Sequence, residues 1–497
     1  MQSKSTTPIK PSPSISILPI ALLVALLFVT IMTFGSDALG GGSQICLLAA
    51  SAVCAGIGIF YCKVSWEQIE EAISGNIKGV GSALLVLLLI GALSGSWMIS
   101  GVVPTFIYYG LQILHPSFFL ISTCLICAIV SVMTGSSWTT IATIGIALMG
   151  IGEAQGFTTG WVAGAIISGA YFGDKVSPLS DTTVLASSVN KTPLFTHIRY
   201  MMITTTPSFL ITLLIFLIVG LSHQTSDLAQ VQLYSTVLNE SFNISLWTLI
   251  VPLLTVVMIA KKVPSLITLF LSATMGIICA IILQPNLLHA VSDMEIQDTT
   301  SLFKGSYMTI YGSTQIETGN ESINSLVATR GMSGMLNTIW LILCAMCFGG
   351  AMTATGMLDS ITKVFTHFMK RRLSMVSSTV FAGIFLNLCT ADQYISIILT
   401  GKMFGKTYES NGYESKLLSR TTEDAVTVTS VLIPWNTCGM TQATILNVST
   451  LTYLPYCFFN ILSPLMTILI AAIGYKIRKI KKTTAKENNS STTLIHS

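Results

Sequence analysis

The chain has 497 residues, of which 52% are hydrophobic and only 9% are charged. Soluble domains usually carry about a quarter charged residues, so the composition excludes a soluble protein and indicates a multi-span membrane protein. The net charge of +4 comes largely from the segment Lys476–Lys486, which is typical of a cytoplasmic flank and not of a nucleic-acid-binding surface.

Apolar segments near the length needed to cross a bilayer follow one another along the chain. They do not alternate apolar and polar residues, as the strands of a membrane barrel would. Four of them are interrupted by polar or helix-breaking residues, namely 117–152, 157–190, 374–401 and 421–440. The uninterrupted ones are 17–36, 44–62, 80–100, 200–220, 246–260, 264–284, 333–356 and 452–475. We therefore predict an all-α polytopic membrane protein.

Lysine and arginine cluster in alternate loops, which predicts the orientation of the chain in the membrane. Basic residues precede the first helix and recur near 191–199, 261–262, 363–372 and 402–420, whereas 221–245 and 285–332 are mostly acidic. The predicted organisation is a cytoplasmic N-terminal tail (1–16), a first transmembrane repeat (17–220), an external linker (221–245), a second repeat (246–475) with an external loop (285–332), and a basic cytoplasmic tail (476–497).

The interrupted segments occur in the same order in both halves of the chain. "TGSSW" (134–138) breaks the first half and "TADQY" (390–394) breaks the second. "DKVSPLSDTT" (174–183) follows the first break, and "DAVTVTSVLIPWNT" (424–437) follows the second. Because the predicted loops place these halves in opposite directions across the membrane, we expect two inverted-topology repeats with broken helices and re-entrant hairpins.

Carboxylates inside apolar segments mark the candidate site, because a charge at the centre of a membrane helix costs about 2.5–3.5 kcal/mol on insertion scales. The candidate cation- and proton-binding residues are Asp174, Asp181, Asp392, Glu423 and Asp424. Candidate oxygen ligands or hairpin-tip residues are Thr134, Ser136, Ser137, Ser177, Ser180, Thr182, Thr183, Thr390, Asn436 and Thr437. Carboxylate and hydroxyl oxygens suit Na⁺. A carboxylate that holds either a proton or a metal ion, but not both, would couple the two ions.

Lys175 has more than one interpretation. With Asp174 it fits an ion pair in a loop just outside the membrane. It also fits a buried counter-ion to Asp181 or Asp392.

Two further alternatives stay open from the sequence. Arg420 precedes Glu423 and Asp424, so one of these carboxylates could serve only as the ion-pair partner of that arginine. Ser136 and Ser137 fit ion ligands, but they also fit hydroxyls that bond the backbone four residues back.

Small residues inside the apolar segments predict packing. Glycines spaced four apart favour close helix contacts, at Gly91/Gly95, Gly160/Gly164 and Gly169/Gly173.

The C-x-x-C pairs at 124/127 and 344/347 lack a histidine at ligand spacing, so no structural metal site is expected. The six histidines are expected near helix ends or in loops. A histidine proton relay is therefore not predicted.

The motifs "GDKVSPLSDTT" (173–183) and "LSRTTEDAVTVTSVLIPWNTCG" (418–439) resemble those of NhaC-type Na⁺/H⁺ antiporters, which include sodium-coupled malate/lactate exchangers. "TADQY" and "TGSSWTTIATIG" (134–145) are similar to further signatures of that family. The resemblance spans roughly residues 15 to 480 and implies a secondary transporter of the bacterial inner membrane. It assigns the site to the positions named above. Val431 departs from the pattern, because the resemblance implies a proline there.

The sequence and the resemblance together favour Na⁺/H⁺ antiport. The alternative is Na⁺-coupled exchange of small carboxylates, such as malate against lactate. A channel or a membrane enzyme is disfavoured, because no nucleophile–base pair is evident and a channel does not need two inverted, broken repeats. No nucleotide motif is present, so transport is expected to be driven by a gradient without a cofactor. The expected partners are Na⁺, H⁺ and membrane lipid, and the sequence leaves open whether the protein is a homodimer.

Overall fold

The computed structural model describes residues 9–34, 40–223, 228–477 and 479, and these residues are mostly helical. Residues 1–8, 35–39, 224–227, 478 and 480–497 lie outside the described residues, and they include parts of the predicted tails, first span and external linker.

The helices of the first half are α1 (Pro13–Ser16), α2 (Leu18–Phe34), α3 (Gly42–Phe60), α4 (Trp66–Ile99), α5 (Val102–Ile113), α6 (Pro116–Thr134), α7 (Ser137–Thr140), α8 (Ile146–Ala154), α9 (Thr159–Val176), α10 (Asp181–Val189) and α11 (Leu194–Ser222). A π-helical turn, Ile141–Gly145, joins α7 to α8.

The remaining helices are α12 (Leu228–Ser241), α13 (Ile250–Ala260), α14 (Ser265–Leu283), α15 (Pro285–Ser292), α16 (Thr299–Tyr311), α17 (Glu321–Val327), α18 (Leu336–Ala354), α19 (Met357–His367), α20 (Arg372–Thr390), α21 (Gln393–Ser410), α22 (Ser415–Thr422), α23 (Thr437–Leu446), α24 (Thr450–Tyr453) and α25 (Phe458–Ile473). A second π-helical turn, Glu423–Thr427, follows α22 directly.

Several of these helices can cross a membrane. Within the described part of the chain, eight helices are long and apolar enough, or up to ten if each of two bent helix pairs counts as one span. The bent pairs are α12 with α13, at 89°, and α24 with α25, at 56°. The prediction of an all-α polytopic membrane protein is therefore confirmed.

Two large apolar cores hold the helices together. One core lies between the second half of α4, helices α5 to α9 and α23. The other lies between α2, α3, α18 and α19. Since α4 contributes to both cores, this 34-residue helix connects the two parts of the molecule.

The predicted external loop 285–332 contains three helices, α15 to α17. α16 packs on α4 where a side chain at Gly95 would collide with the Thr309 carbonyl group. The loop is therefore a folded cover on one end of α4, which the acidic composition of the segment did not predict.

The glycine pairs allow close helix packing, as predicted. On α9, a Cβ atom at Gly169 would collide with the Cys124 carbonyl group, and one at Gly173 with the Ala128 carbonyl group. Both carbonyl groups belong to α6. This close crossing places the end of α9, which carries Asp174, beside the end of α6.

The interruptions predicted within the apolar segments are present. α6 ends before Gly135 and α20 ends before Ala391, and both residues have left-handed backbone conformations, with φ of +67° and +55°. Residues 177–180 separate α9 from α10, and residues 433–436 precede α23.

The two hairpin breaks share a local geometry. The Thr134 hydroxyl group accepts a hydrogen bond from the Ser136 backbone N–H (3.2 Å), and the Thr390 hydroxyl group accepts one from the Asp392 backbone N–H (3.3 Å). The same sequence offset separates Thr134 from Thr390 and Ser136 from Asp392.

This offset also relates two bonds that hold each hairpin to the following segment. Ser131 donates to the Ala170 carbonyl oxygen (2.6 Å), and Asn387 donates to the Val426 carbonyl oxygen (2.7 Å). The recurrence supports the predicted internal repeat, and the inverted orientation of the two halves stays a prediction.

Candidate cation-binding site

The helix breaks of both halves surround one cavity of about 430 Å³. Three carboxylates line it, from Asp174, Asp181 and Asp392. The hydroxyl-bearing residues in its lining include Thr134, Ser136, Ser137, Thr139, Thr182, Tyr394 and Thr437. Eight of the sequence-predicted site residues, from both halves of the chain, are thus brought together here.

Asp174 lies in the last turn of α9 and is 5% exposed. Its Oδ2 atom accepts hydrogen bonds from the Ser137 hydroxyl group (2.7 Å) and the Ser137 backbone N–H (3.1 Å). The carboxylate therefore meets the first residue of α7, where the helix dipole favours a negative charge. Its Oδ1 atom has no hydrogen-bond partner among the residues the structure describes. One oxygen of Asp174 is thus left for a cation or a proton.

Asp392 is the N-cap of α21 and is 1% exposed. Its Oδ1 atom accepts from the Ile395 backbone N–H (2.9 Å), which is the usual capping bond of this position. Its Oδ2 atom accepts from the hydroxyl group of Thr437, the first residue of α23 (3.2 Å). Asp392 therefore ties the tip of the second hairpin to the start of another broken helix.

Asp181 is the exposed carboxylate of the three and begins α10. Its Oδ2 atom accepts a hydrogen bond from the Tyr394 hydroxyl group (2.7 Å). Because Tyr394 follows the second hairpin break, this bond joins the two halves across the cavity. The sequence motif contained Tyr394, but its cavity role was not predicted, since tyrosine in an apolar segment usually serves packing.

The other predicted hydroxyl and amide residues shape the breaks and do not line the cavity. Ser177 donates to the Val132 carbonyl oxygen (2.8 Å). Ser180 caps α10 through the Thr183 backbone N–H (3.3 Å), and Asn436 caps α23. The Thr183 hydroxyl group donates to the Lys175 carbonyl oxygen (3.0 Å), and that of Thr390 to the Asp392 carbonyl oxygen (3.0 Å). These five residues therefore hold the backbone that presents the cavity oxygens.

The alternative that the Ser136 and Ser137 hydroxyl groups bond the backbone four residues back is wrong. Ser137 donates to Asp174, and the Ser136 hydroxyl oxygen accepts from the Thr139 backbone N–H (3.2 Å). Neither bond reaches four residues back, so both hydroxyl groups form hydrogen bonds at the hairpin tip.

A second buried cluster of charges lies outside this cavity lining. Lys175 forms an ion pair with Asp424, and both side chains are fully buried. The second oxygen of Asp424 accepts from the Thr204 hydroxyl group (2.8 Å), and Lys175 also donates to Ser463 (2.9 Å). Asp424 is thus held by residues of α9, α11 and α25.

This cluster corrects two interpretations of Lys175. Its burial excludes the exposed loop pair with Asp174, and its partner is Asp424 and not Asp181 or Asp392. Glu423 is also buried but, like Asp424, is absent from the cavity lining. The five predicted carboxylates therefore divide into three at the cavity and two beside Lys175.

Arg420 also belongs to this cluster. The sequence predicted it only as a possible partner of Glu423 or Asp424. It is fully buried, with its Nε atom 3.9 Å from Asp424 Oδ2 and its guanidinium group 4.7 Å from the centre of the Tyr200 ring. Nearby, His197 bonds the Ser419 hydroxyl group (2.6 Å). His197 lies near the start of α11, as expected, but it is fully buried.

Among the described residues, the charged side chains that line the cavity are all carboxylates. No lysine or arginine lines it within the part of the chain that the structure describes. Three carboxylates and several hydroxyl oxygens provide the hard oxygen ligands that alkali cations accept.

Comparison with known proteins identifies the family. The sequence profile of the Na⁺/H⁺ antiporter family matches residues 169–475, which include Asp174, Asp181 and Asp392 but not the first hairpin or the cavity-lining residues of α4. This chain belongs to the Na⁺/H⁺ antiporter family. The resemblance to NhaC-type antiporters is thereby confirmed.

Curated relatives of this family member cover most of its length. It is 39% identical over 437 residues to the Na⁺/H⁺ antiporter NhaC of Alkalihalophilus pseudofirmus, covering 88% of this chain and 90% of the relative. It is 37% identical over 425 residues to the malate-2H⁺/Na⁺-lactate antiporter of Bacillus subtilis, covering 85% and 87%. It is 36% identical over 413 residues to NhaC of the same organism, covering 82% and 87%.

Proposed function

We propose that this family member is a secondary transporter that exchanges Na⁺ for H⁺ across the membrane. The observation that carries the proposal is the convergence of Asp174, Asp181 and Asp392 from both halves on one cavity that no lysine or arginine of the described residues lines. Support also comes from the relatives, which are Na⁺/H⁺ antiporters or Na⁺-coupled exchangers.

Na⁺ binds between the two hairpin tips. Asp174 offers its unpartnered Oδ1 atom, and Asp392 offers oxygens that otherwise hold Thr437 and the α21 N-terminus. A buried ionised carboxylate needs a compensating charge or a proton. The site is therefore occupied by a cation or by protons, and this exchange couples the two gradients.

The helices that surround the cavity connect it to the opposite end of the protein. A second cavity of about 630 Å³ lies against α4, α8 and α23, and its lining includes Glu153 and Arg330. In the predicted orientation the first cavity opens near Lys262, on the cytoplasmic side, and the second opens beneath the external loop. Alternating access then moves the barrier between them while the carboxylates stay near the centre.

The deciding experiment uses purified protein in proteoliposomes that contain a pH-sensitive dye. A Na⁺ pulse should drive proton movement with the wild-type protein. Asp174→Asn and Asp392→Asn should each abolish it, because an amide neither ionises nor neutralises a bound cation. Asp359→Asn makes the same chemical change at an exposed position on α19 and should leave the flux unchanged. Full activity in both cavity variants would exclude this site.

Exchange of small carboxylates is the second candidate, favoured by the malate/lactate relative and by a cavity larger than one ion needs. Lys175 cannot anchor an acid there, since it is paired with Asp424. Lys262 lines a smaller adjoining pocket together with Thr134 and Thr139. Proteoliposomes with malate inside and lactate outside test this candidate. A response to Na⁺ that requires both acids would favour it over simple antiport.

A further inference from the structure

The two neighbouring carboxylates Glu423 and Asp424 have opposite environments. Asp424 pairs with Lys175 and accepts from Thr204 and Ser463. Neither oxygen of Glu423 has a hydrogen-bond partner among the described residues, although the side chain is fully buried. Asp424 is therefore occupied by a fixed counter-ion, whereas Glu423 is free to exchange what it binds.

Glu423 begins the second π-helical turn, Glu423–Thr427. Turns of this kind occur frequently at functional sites. Thr427, at the end of the same turn, has a buried hydroxyl group that also lacks a partner in the described part of the chain. Burial removes the hydration of an ionised carboxylate, so a proton on Glu423 removes part of that cost.

The charges that act on Glu423 belong to both the cavity and the cluster. Lys175, Asp174 and Asp424 interact with it electrostatically. Arg420 lies three residues before it on α22.

The other helices packed on this turn contribute amide groups. Asn387 of α20 donates to the Val426 carbonyl oxygen (2.7 Å), and Asn460 of α25 donates to the Val428 carbonyl oxygen (2.8 Å). These amide groups donate to the backbone of the turn and not to the Glu423 carboxyl group.

The π-helical turn lies directly behind the cavity wall. Gln393 lines the cavity, and its side-chain amide group donates to the Thr427 carbonyl oxygen (3.5 Å). On α9, Asp174 lines the cavity while the adjacent Lys175 belongs to the charge cluster. A charge that enters the cavity is therefore felt at Glu423 without contact.

We propose that Glu423 is a proton-binding site separate from the Na⁺-binding carboxylates of the cavity. This inference rests on the proposed Na⁺/H⁺ exchange. Na⁺ beside Asp174 disfavours a proton on Glu423, so the proton leaves its carboxyl oxygen for water on the side to which the protein is open. Loss of Na⁺ restores the negative potential and draws a proton back. The two sites are thus coupled by a free energy that acts in both directions.

The first test separates Na⁺ transport from proton coupling. Glu423→Gln should retain exchange of labelled Na⁺ for unlabelled Na⁺ across proteoliposomes, but Na⁺-driven proton movement should fall to the share carried by the cavity carboxylates. The apparent Na⁺ affinity of the wild-type protein should change with pH by a factor of about 5–150, the usual range of such coupling, and that of Glu423→Gln should change by a smaller factor. Glu409→Gln makes the same change at an exposed position and should behave like wild type.

Each outcome of this test is decisive. Proton movement at the wild-type rate in Glu423→Gln overturns the proposal, and so does loss of Na⁺/Na⁺ exchange in a variant that retains the wild-type unfolding temperature. Wild-type protein with neither Na⁺/Na⁺ exchange nor proton flux would instead refute the proposed Na⁺/H⁺ exchange.

A second test avoids substitution of Glu423. A hydrophobic carbodiimide reacts with protonated carboxyl groups in apolar surroundings, and peptide mass spectrometry locates the adduct. Glu423 of the wild-type protein should be modified, and excess Na⁺ should reduce the modification several-fold. In Asp392→Asn, Na⁺ should no longer protect. Absence of an adduct at Glu423, or an adduct insensitive to Na⁺ in the wild-type protein, overturns the proposal.

Discussion

Burial decides how much each ion pair contributes to stability. Lys175 and Asp424 have no solvent-accessible side-chain surface, whereas Lys416 and Glu414 form a pair that is about a third exposed (29% and 36%). Removal of one partner from a buried pair leaves the other charge uncompensated. In an exposed pair, water solvates the charge that remains, so the loss is small.

Lys175→Met should lower the free energy of unfolding by about 3–5 kcal/mol, since Asp424 would remain buried without its counter-ion. Equilibrium unfolding in mixed detergent micelles measures this change. Lys416→Met is the matched control and should cost at most about 1 kcal/mol. Equal losses in the two variants would contradict this account of the buried pair.

The sequence predicted single polar residues better than their partners. Asp392 was recognisable because no other charge stands in its apolar segment, and the structure places it in the cavity. The pairing of Lys175 with Asp424 was not predicted, because it depends on how α9, α11 and α25 meet in space. Glu423 and Asp424 are adjacent in sequence, so only the packing separates their roles.

At the scale of helices, the two hairpin breaks adopt the same left-handed backbone conformation with different residues. Gly135 and Ala391 both adopt positive φ, which is nearly free for glycine and costs other residues roughly 1–2 kcal/mol. A Cβ atom at Gly135 would also lie 2.6 Å from the carbonyl carbon of Leu179.

Gly135→Ala should therefore destabilise the protein and weaken transport, because the first hairpin tip must shift away from the residues that precede α10. Ala391→Gly should keep or raise the unfolding temperature, since it removes the left-handed strain. Thermal unfolding in detergent measures both. A Gly135→Ala variant as stable as Ala391→Gly would contradict this prediction.

The crossing of α6 and α9 provides a second prediction. Gly169→Ala should cost about 1–3 kcal/mol, because the new methyl group meets the backbone of Cys124 and the two helices must separate. Gly405 of α21 is a matched control, since a Cβ atom there meets nothing within 4 Å. Gly405→Ala should stabilise its helix by up to about 1 kcal/mol. Equilibrium unfolding measures both changes in the free energy of unfolding, which are expected to have opposite signs. Changes of the same sign in the two variants would argue against this helix crossing.

Helix interruptions were predictable because polar and glycine residues stand out in apolar segments. The length of α4 and the helices α15 to α17 were not. The first turns of α4 are polar and begin with a capping box at Ser65 and Gln68, so the sequence did not indicate that they continue into the apolar segment. The helices of 285–332 gain their stability from packing on α4, which no local pattern reveals.

For the whole molecule, two cavities at opposite ends of the same helices predict two separate water-exposed surfaces. Ser265 lines the first cavity, and Ser313 lines the second. The native cysteines are all at least partly buried, so introduced cysteines should dominate labelling by a membrane-impermeant maleimide.

Ser265→Cys should be labelled only from the cytoplasmic side of the membrane, and Ser313→Cys only from the outside. Oriented vesicles of both polarities, followed by mass measurement, check this expectation. Labelling of both variants after detergent solubilisation is the control. Labelling of the two positions from the same side would refute the predicted orientation of these two surfaces.

The size of the first cavity has a consequence for ion selection. A volume of about 430 Å³ holds on the order of ten water molecules in addition to the carboxylate oxygens. A cation that enters a cavity of this size keeps most of its hydration shell, so Li⁺, Na⁺ and K⁺ differ little on arrival. In the proposed mechanism, discrimination by ionic radius therefore begins only when carboxylate and hydroxyl oxygens replace the water around the cation.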